Sequence, residues 1–397
     1  MRKEKNKTKS NYQMRKEKKV CMVVLNSFKN DTRVLREAKT LKKAGYEVFV
    51  LAIYESDLKK KEKIEDVQVV RIFLRTKNLP KKKIFQILKF IEFSIKSLIF
   101  ILKNRPKFCH CHDLNALPVG YVAKKILKNH LVYDSHELES ERSTIKKEPK
   151  WFRWFARKLE HFLIKRADKV IVVCDSIADY IKKQDKIERP IVVRNIPEVK
   201  KNYLISKNNY HFGFSKDYKI IIYQGALLFN RGIEELIKAM KFSDKKIILV
   251  ILGEGLLYKK ILDIIKKFKL ESRVIIKGYV PSSEILKFTS QADLGIVPVK
   301  KVTLSYYFAL PNKFFEYIMA GLPVVASNFP EMKKIIQKYK VGETFNPENS
   351  KDISRAITKI LKNNDYHLKL KQNVQKAKKD LNWQKEKKKL VNVYRSL

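Results

Sequence analysis

Residues 311–331 read PNKFFEYIMAGLPVVASNFPE, and this stretch sets the fold class. Its proline suits the first turn of a helix, and the pair Ala320-Gly321 ends that helix. The apolar run PVVAS that follows is typical of a buried parallel strand. In an open α/β sheet, ligands bind beyond the carboxyl ends of the strands, where the next helices begin. The stretch therefore predicts a layer of strands and helices with a ligand site at its edge.

Two charged residues share one face of this helix. Lys313 and Glu316 are three positions apart and close to its N-terminus. A carboxylate there can accept hydrogen bonds from both ribose hydroxyls, while Lys313 and the free N–H groups of the first turn can hold a pyrophosphate. Asn312 and, in the loop after the strand, Glu331 belong to the same predicted donor site. The alternative that Glu316 only complements the helix dipole stays open.

The second half of the chain alternates between strand and helix patterns. Its apolar runs are KIIIYQG (219–225), KIILVILG (246–253), RVIIKG (273–278), LGIVPV (294–299) and PVVAS (323–327). A helical pattern follows each run, and this alternation predicts a doubly wound parallel sheet.

Glycines at the strand ends extend the predicted donor site. Gly225 ends one run and Arg231 precedes the next helix, so backbone N–H groups and a guanidinium can approach a phosphate there. Gly253 opens a second glycine turn, which is a weak signal on its own. An ordinary turn with a solvated Arg231 is the alternative.

The first half repeats the alternation. Apolar runs at 20–25, 47–54, 67–74, 107–112, 130–137, 169–174 and 191–195 predict a second doubly wound sheet. The predicted class is α/β, with two Rossmann-like domains facing a central cleft. We expect a disordered basic tail at 1–18, an N-terminal Rossmann-like domain at 19–197, a linker at 198–217, a C-terminal Rossmann-like domain at 218–375, and a helix at 376–397 that crosses back to the N-terminal domain.

Titratable side chains gather at neighbouring strand ends of the first half. They are His110, His112, Asp113, Asp134, His136 and Glu137. Histidines with carboxylates can bind zinc or iron, and histidines satisfied within a core are the alternative. Asp31 and Arg33 begin the first helix and would line the acceptor side, although Arg33 could also be a solvated helix residue.

The run EYIMAGLPVV at residues 316–325 resembles the nucleotide-sugar site of glycosyltransferase family 4, whose members are retaining enzymes of the GT-B fold. The resemblance extends over nearly the whole chain. Other similar pieces are VLNSFKNDTRVLREAKTLKKAGYEVFVLA (24–52), CHDLNALPVG (111–120), YDSHE (133–137), ADKVIVVCDSIADYI (167–181) and ADLGIVPV (292–299).

The resemblance implies that residues 19–197 form the acceptor-side domain and residues 218–375 the nucleotide-sugar-binding domain. It also implies roles for the candidate residues. Glu316 would bind the donor ribose, Arg231 the diphosphate, and the strand end at Val280 would face the base. The implied catalytic set is His112, which would contact the transferred sugar, together with Asp113, His136 and Glu137. The family implies no metal, because cations and helix dipoles manage the leaving phosphate.

Two positions depart from the family pattern. Many members have a Glu eight residues before the ribose-binding Glu, where this chain has Phe308. Many have an Arg directly after the glycine of the first turn, where this chain has Ala226. Lys313 is our candidate for the missing cation, and the change at Phe308 bears on which sugar is bound.

The overall charge is strongly positive. The 397 residues include 87 Lys+Arg against 41 Asp+Glu, a net charge of +46. Such a surface attracts nucleic acid, anionic lipid or phosphorylated substrates, unless it reflects a general compositional bias. The sequence has no recognisable nucleic-acid-binding motif, so we expect no nucleic-acid partner. Four scattered cysteines predict neither disulfides nor a zinc site, which fits a reducing cytoplasm.

Two segments bear on membrane binding. Residues 84–102, IFQILKFIEFSIKSLIFIL, carry too many charges for a membrane span, so they form either a core helix or a helix in the membrane interface. Residues 151–158, WFRWFARK, mix aromatic and basic side chains, which suits an anionic membrane or single-stranded nucleic acid. A helix with its aromatic rings packed inward is the alternative.

We therefore expect a retaining hexosyl- or N-acetylhexosaminyl-type glycosyltransferase. It would move a sugar from a nucleoside-diphosphate sugar to a hydroxyl of a glycan, lipid-linked in the leading interpretation, during assembly of surface polysaccharide such as capsule or lipopolysaccharide. We expect no cofactor, no metal, and a cytoplasmic protein peripheral on the anionic inner face of the plasma membrane. The alternatives are another GT-B nucleotide-sugar enzyme such as an epimerase, and a basic nucleic-acid-binding protein.

Overall fold

The structure is a computed structural model that describes residues 18–80, 82–141, 148–198, 212–215, 217–281 and 283–397. The chain divides into two compact units, Met1–Arg194 with Glu386–Leu397, and Asn195–Lys385. The predicted tail at 1–18 and the predicted linker at 198–217 lie almost wholly outside the described residues.

The first unit contains an eight-stranded sheet in the order β3-β4-β2-β1-β5-β6-β7-β8. Its strands are β1 (Lys19–Val23), β2 (Glu47–Ile53), β3 (Lys61–Ile64), β4 (Val67–Ile72), β5 (Phe108–His112), β6 (His130–Ser135), β7 (Lys169–Val172) and β8 (Ile191–Val192). Strand β3 is antiparallel to β4, and the other pairs are parallel. The strand order reverses between β1 and β5, which is where a doubly wound sheet opens a crevice.

Helices connect these strands. They are α1 (Thr32–Lys43), α2 (Lys83–Asn104), α3 (Leu117–Leu127), α4 (Lys150–Ile164) and α5 (Asp175–Asp185). Helix α1 begins where Asp31 caps it, because the carboxylate accepts the backbone N–H of Val34 at 3.1 Å. Val34, Ala38 and Leu41 then form the buried face of α1.

The second unit contains a six-stranded, fully parallel sheet in the order β11-β10-β9-β12-β13-β14. Its strands are β9 (Lys219–Gln224), β10 (Ile247–Leu252), β11 (Val274–Gly278), β12 (Leu294–Val297), β13 (Val324–Ser327) and β14 (Gly342–Phe345). This is the doubly wound order of dinucleotide-binding folds, with the reversal between β9 and β12.

Nine further helices complete the described chain. They are α6 (Ile233–Met240), α7 (Tyr258–Lys267), α8 (Ile285–Thr289), α9 (Leu304–Tyr307), α10 (Asn312–Ala320), α11 (Pro330–Tyr339), α12 (Ser350–Leu361), α13 (Asn364–Ala377) and α14 (Trp383–Arg395). Residues of α14 from Glu386 onward belong to the first unit. There the ring of Tyr394 lies 5.1 Å from that of Phe108, and its hydroxyl lies 2.7 Å from Nδ1 of His110.

The predicted α/β class with two doubly wound sheets is confirmed. Two strands are additional to the predicted ones, and both are at sheet edges. Strand β3 has the sequence KEKI and β14 has GETF, so neither carries the apolar run of a buried strand. Among the described residues, no helix has the combined length and apolarity needed to cross a bilayer.

Candidate active site

The predicted donor residues lie together at the carboxyl edge of the second sheet. Gly225, Gly253 and Val280 follow β9, β10 and β11, and Arg231 lies in the loop after β9. Helix α10 begins with Asn312 and Lys313 and carries Glu316 one turn later. Glu331 is buried in the first turn of α11, after β13. The sequence-predicted set is therefore brought to one edge of one unit.

Helix α10 is anchored across the point where the strand order reverses. The hydroxyl of Tyr317 accepts the backbone N–H of Gln224 at 3.1 Å and donates to the carbonyl of Ile296 at 3.2 Å. Gly295 on β12 makes room for this ring, because a Cβ atom there would lie 2.2 Å from Cγ of Tyr317. Tyr317 thus fixes α10 to both β9 and β12, and with it the position of Glu316.

Glu316 is oriented by a short chain of hydrogen bonds. The amide of Gln224 donates to Oε2 of Glu316, and its own Oε1 accepts the hydroxyl of Thr289 at 2.7 Å. Gln224 is buried and lies at the end of β9. Gln224, Thr289 and Tyr317 were not among the residues predicted from the sequence. The only sequence signal for Gln224 was its place directly before the strand-end glycine.

Lys313 lies against the loop that follows β9. Its Nζ atom is 3.8 Å from the centroid of the Tyr223 ring, and a Cβ atom at Gly225 would lie 3.0 Å from it. Burial, and then the nearby charge of Arg231, lower the pKa of Lys313 to about 7. A partly desolvated ammonium next to a glycine turn is suited to an anionic ligand that restores its charge.

The glycine turns have no room for a side chain. Gly232 has φ 71°, and a Cβ atom there would lie 1.6 Å from the carbonyl oxygen of Pro298. Gly253 has φ 149°, and its Cβ would lie 2.1 Å from the carbonyl oxygen of Gly225. The adjacent Arg231 has its guanidinium carbon 5.5 Å from the centroid of the Tyr306 ring. These turns bring backbone close to the edge where an anionic ligand would bind.

The predicted catalytic residues lie at the carboxyl edge of the first sheet. His112 ends β5, and its Nδ1 lies 3.2 Å from Nε2 of His136, which follows β6. Asp113 adopts a left-handed φ of 62°, and its Oδ1 accepts the backbone N–H of His136 at 3.2 Å. Such backbone strain in a non-glycine residue is typical of functional sites. Glu137 comes next in the chain and is partly exposed.

Asp134 is the centre of this group. Nη2 of Arg33 donates to Oδ1 and Oδ2 at 2.8 and 2.9 Å. Oδ2 also lies 3.5 Å from Nδ1 of His112 and 3.5 Å from Nε2 of His136. Although burial opposes it, Arg33 and then His136 hold the pKa of Asp134 well below its usual range. Asp134 therefore stays charged and orients both histidines.

The two histidines titrate in opposite directions. Burial lowers the pKa of His112, so that its ring is neutral. Burial would lower the pKa of His136 too, but the carboxylates of Asp113 and Asp134 outweigh it and raise that pKa to about 9. Nε2 of His112 is buried and has no hydrogen-bond partner among the described residues. A neutral imidazole with one free nitrogen is thus held beside an imidazolium.

The same cluster has the composition of a metal site. Ligand atoms of Glu37, His110, His112 and Asp134 all lie within 4.8 Å of one another. However, Arg33 binds Asp134 and lies 3.1 Å from Glu37. Its permanent positive charge would repel a cation, so the cluster fits an arginine-centred ion-pair network better than a metal site.

Two predicted acceptor-side residues have structural partners. Asp31 caps α1 and accepts from the Asn26 amide at 2.9 Å. Arg33 is buried, with a further bond from Nη1 to the carbonyl of Val193 at 3.1 Å. This burial excludes the alternative of Arg33 as a solvated helix residue, and its hydrogen bonds support Asp134. The acceptor-side role of Asp31 and Arg33 stays a prediction.

Two family profiles match the chain, one on each half. Residues 31–195 match Glycosyltransferase Family 4, and residues 206–377 match Glycosyl transferases group 1. An uncharacterized glycosyltransferase of Methanocaldococcus jannaschii is 26% identical over 90% of this chain and 92% of its own length. The chitobiosyldiphosphodolichol beta-mannosyltransferase of Debaryomyces hansenii is 24% identical over 93% of this chain and 86% of its own.

Solved structures with the same fold include complexes with nucleotide sugars. Sucrose-phosphate synthase from Thermosynechococcus elongatus superposes with a TM-score of 0.82 at 18% identity, over 96% of this chain and 98% of that one. HepE of Anabaena, in complex with UDP-glucose, has a TM-score of 0.72 at 15% identity, over 96% and 100%. With both halves matched by glycosyltransferase profiles and both sheets doubly wound, the protein is a glycosyltransferase of the GT-B fold, whose first half matches Glycosyltransferase Family 4 and whose second half matches Glycosyl transferases group 1.

Proposed function

We propose that this enzyme transfers a hexosyl or N-acetylhexosaminyl group from a nucleoside-diphosphate sugar to a hydroxyl of a lipid-linked glycan, with retention at the anomeric carbon. The observation that carries the proposal is the pair Lys313 and Glu316 on the first two turns of α10. Both lie at the reversal of strand order in the second sheet, where ligands of doubly wound folds bind.

In this proposal each part of the donor has its own partner. Glu316, aligned by Gln224, accepts the ribose hydroxyls. Arg231, Lys313 and the N–H groups at the start of α10 bind the diphosphate and stabilise the charge that builds on it as the glycosidic bond breaks. The loop at Gly253 and Val280, after β10 and β11, receives the base.

The residues at the edge of the first sheet act on the sugar. His112 offers its free Nε2 to a hydroxyl of the transferred sugar, and its partners Asp134 and His136 keep the ring in place. Asp113 and Glu137 belong to the same edge. No metal takes part, because two protein cations already serve the leaving diphosphate, and full activity in the presence of a chelator would support this.

The acceptor and location are inferred from the relatives and the charge. The fungal relatives are named for an acceptor that is a glycan on dolichol diphosphate, which is a lipid carrier. The net charge of +46 suits a substrate with a diphosphate and an anionic membrane surface. We therefore propose surface polysaccharide assembly at the cytoplasmic face of the plasma membrane.

A second configuration of the product is also a candidate. The same relatives are named beta-mannosyltransferases, so a β-linked product is the second candidate. Proton NMR of the product, against the anomeric configuration of the donor, distinguishes retention from inversion.

The test of the proposed function has two stages. A thermal-shift screen of nucleotide sugars identifies the donor, and the best donor is then incubated with lipid-linked diphosphate glycans. Stabilisation by at least one nucleotide sugar, followed by a product one sugar heavier, is the expected result. Stabilisation by none of them, with intact folded protein, would contradict the proposal.

A further inference from the structure

Helix α2 has its polar stripe turned toward the protein. Nζ of Lys89 donates to the carbonyl of Leu79 at 2.9 Å, and Nζ of Lys96 donates to that of Phe73 at 2.8 Å. Glu92 accepts two backbone N–H groups of the same segment at 2.8 and 2.9 Å. Although burial opposes it, the hydrogen bonds from Lys96 and from this segment lower the pKa of Glu92 to about 2. Three charged residues of α2, Lys89, Glu92 and Lys96, therefore attach the helix to its own unit.

The opposite face of α2 is exposed and apolar. Its exposed apolar residues are Ile84, Ile87, Leu88, Ile91, Ile95 and Ile99. Their positions follow the helical repeat and share one face of α2, and their exposure runs from 41% at Leu88 to 60% at Ile99. Only Phe93, Ser97 and Ile101 of this helix are buried. The alternative of a core helix between a sheet and a neighbour does not fit this exposure.

Helices α3 and α4 continue the same surface. Val122 and Ile126 of α3 are 40% and 55% exposed. Trp151 and Trp154 of α4 are 69% and 64% exposed, and Phe155 is also exposed. We call the exposed apolar residues of α2, α3 and α4 the three-helix face. Its aromatic residues point outward, which excludes the inward-packed alternative for α4.

Direct contacts hold the three helices together. The Tyr121 ring of α3 meets the Phe162 ring of α4 edge-on, with centroids 5.6 Å apart. Lys83 at the start of α2 pairs with Glu148, just before α4, at 2.5 Å. The face is therefore one continuous surface of the first unit.

Exposed lysines border this surface. They are Lys82, Lys83, Lys103, Lys125, Lys150 and Lys158. Lys158 has its Nζ 5.7 Å from the Trp154 ring centroid, and Lys125 has its Nζ 5.8 Å from that of Tyr121. Aliphatic residues in the centre, tryptophans and lysines at the rim are the combination that binds an anionic lipid interface.

We propose that the three-helix face docks on an anionic lipid bilayer, with its aliphatic and tryptophan side chains in the interface and its lysines at the lipid phosphates. A second copy of the chain is disfavoured as the occupant, because it would bring two lysine-rich rims together. The first 17 residues cannot supply a cover either, because Met1, Tyr12 and Met14 are their only hydrophobic residues.

This inference rests on the proposed function in one respect: docking on a bilayer would bring the enzyme to a lipid-linked acceptor. Docking itself is measured without sugar transfer. A protein that binds vesicles but no nucleotide sugar would overturn the proposed function and leave the docking intact. A protein that binds nucleotide sugars but no vesicles would overturn the docking and leave the proposed function intact.

The experiment is co-sedimentation of the full chain with vesicles of phosphatidylcholine, alone or with phosphatidylglycerol. We expect binding only with the anionic lipid, weakening as salt rises. Ile91→Glu/Ile95→Glu should lower the partition coefficient about tenfold or more, and so should Trp151→Ala/Trp154→Ala. Leu368→Glu is the matched control, since Leu368 is 57% exposed on α13 of the second unit and should leave binding unchanged.

Three results would overturn the inference. One is wild-type protein that stays in the supernatant with anionic vesicles at low salt. Another is that both double variants bind vesicles as well as the wild type does, when circular dichroism shows that each has an intact fold. The third is a wild-type dimer that Ile91→Glu/Ile95→Glu converts to a monomer, with no vesicle binding, which would assign the face to a second copy.

Discussion

The ammonium of Lys313 lies 3.8 Å from the centre of the Tyr223 ring, beside the glycine that ends β9. The ring and the surrounding backbone remove water from this ammonium, and the nearby carboxylate of Glu316 offsets that loss only in part. Burial and the nearby Arg231 accordingly lower the pKa of Lys313 to about 7. An anionic ligand bound at the donor edge would therefore favour the protonated, charged form of Lys313.

Donor binding should be coupled to proton uptake through Lys313. A diphosphate favours the charged ammonium, so donor binding should raise the pKa of Lys313 from its value of about 7. Protein molecules in which Lys313 is neutral would then take up a proton when the donor binds. Donor affinity should fall as pH rises from about 6 to about 9, and Lys313→Gln should flatten that dependence while weakening binding at low pH. Isothermal titration calorimetry in buffers of different ionisation enthalpy measures the uptake. Equal affinity across this range for the wild type would refute the coupling.

Glu316→Ala should nearly abolish transfer without unfolding the protein. The carboxylate is partly buried and bonded to Gln224, and loss of a charged, two-point ribose contact costs about 1.5–3 kcal/mol. Donor affinity should therefore fall about tenfold or more by calorimetry, at an unchanged melting temperature. Glu348→Ala, at an exposed position after β14, is the control. Donor affinity within twofold of wild type in the folded variant would remove Glu316 from the site.

His112→Ala should lower turnover more than donor binding. Its free Nε2 is assigned to the sugar, and a contact that strengthens as charge develops appears in kcat. We expect kcat to fall about a hundredfold with little change in donor KM. His130→Gln, at the opposite end of the neighbouring strand, should leave both constants unchanged. A variant effect confined to KM would count against the assignment.

Arg33→Met should destabilise the first unit. It leaves Asp134 buried and charged without its guanidinium, a situation that costs about 3–5 kcal/mol. Burial raises the pKa of Glu37 to about 8, so at neutral pH Asp134 is the main carboxylate charge bonded to Arg33. Urea denaturation should show a lower midpoint, partly restored by Arg33→Met/Asp134→Asn. Lys29→Met, in an exposed pair with Asp57, should barely move the midpoint. An unchanged midpoint for Arg33→Met would disprove this role.

Sequence patterns were sufficient to place the predicted donor residues at one edge of the second sheet, because their signals are local. A proline, a lysine and a glutamate within six residues, with a glycine stop and a strand, specify a helix start and the face it presents. The apolar runs likewise predict most of the strands. Edge strands β3 and β14 lack such runs. An edge strand is paired with another strand on one side only, so several of its side chains can stay exposed and need not be apolar.

The supporting residues could not be predicted, because their partners are distant in the chain. Gln224 meets Glu316 across 92 positions, and Arg33 meets Asp134 across 101. Helix α2 shows a different limit. Its sequence contains an apolar stripe and a polar stripe, but periodicity does not say which one faces the protein, and here the polar one does.

The most direct measurement is a crystal structure with a nucleoside diphosphate that stabilises the protein in the thermal-shift screen. We expect the ribose hydroxyls to lie within hydrogen-bond distance of the Glu316 carboxylate, and the phosphates within reach of Arg231 and Lys313. A nucleotide bound elsewhere, or one at this edge whose ribose does not touch Glu316, would contradict it.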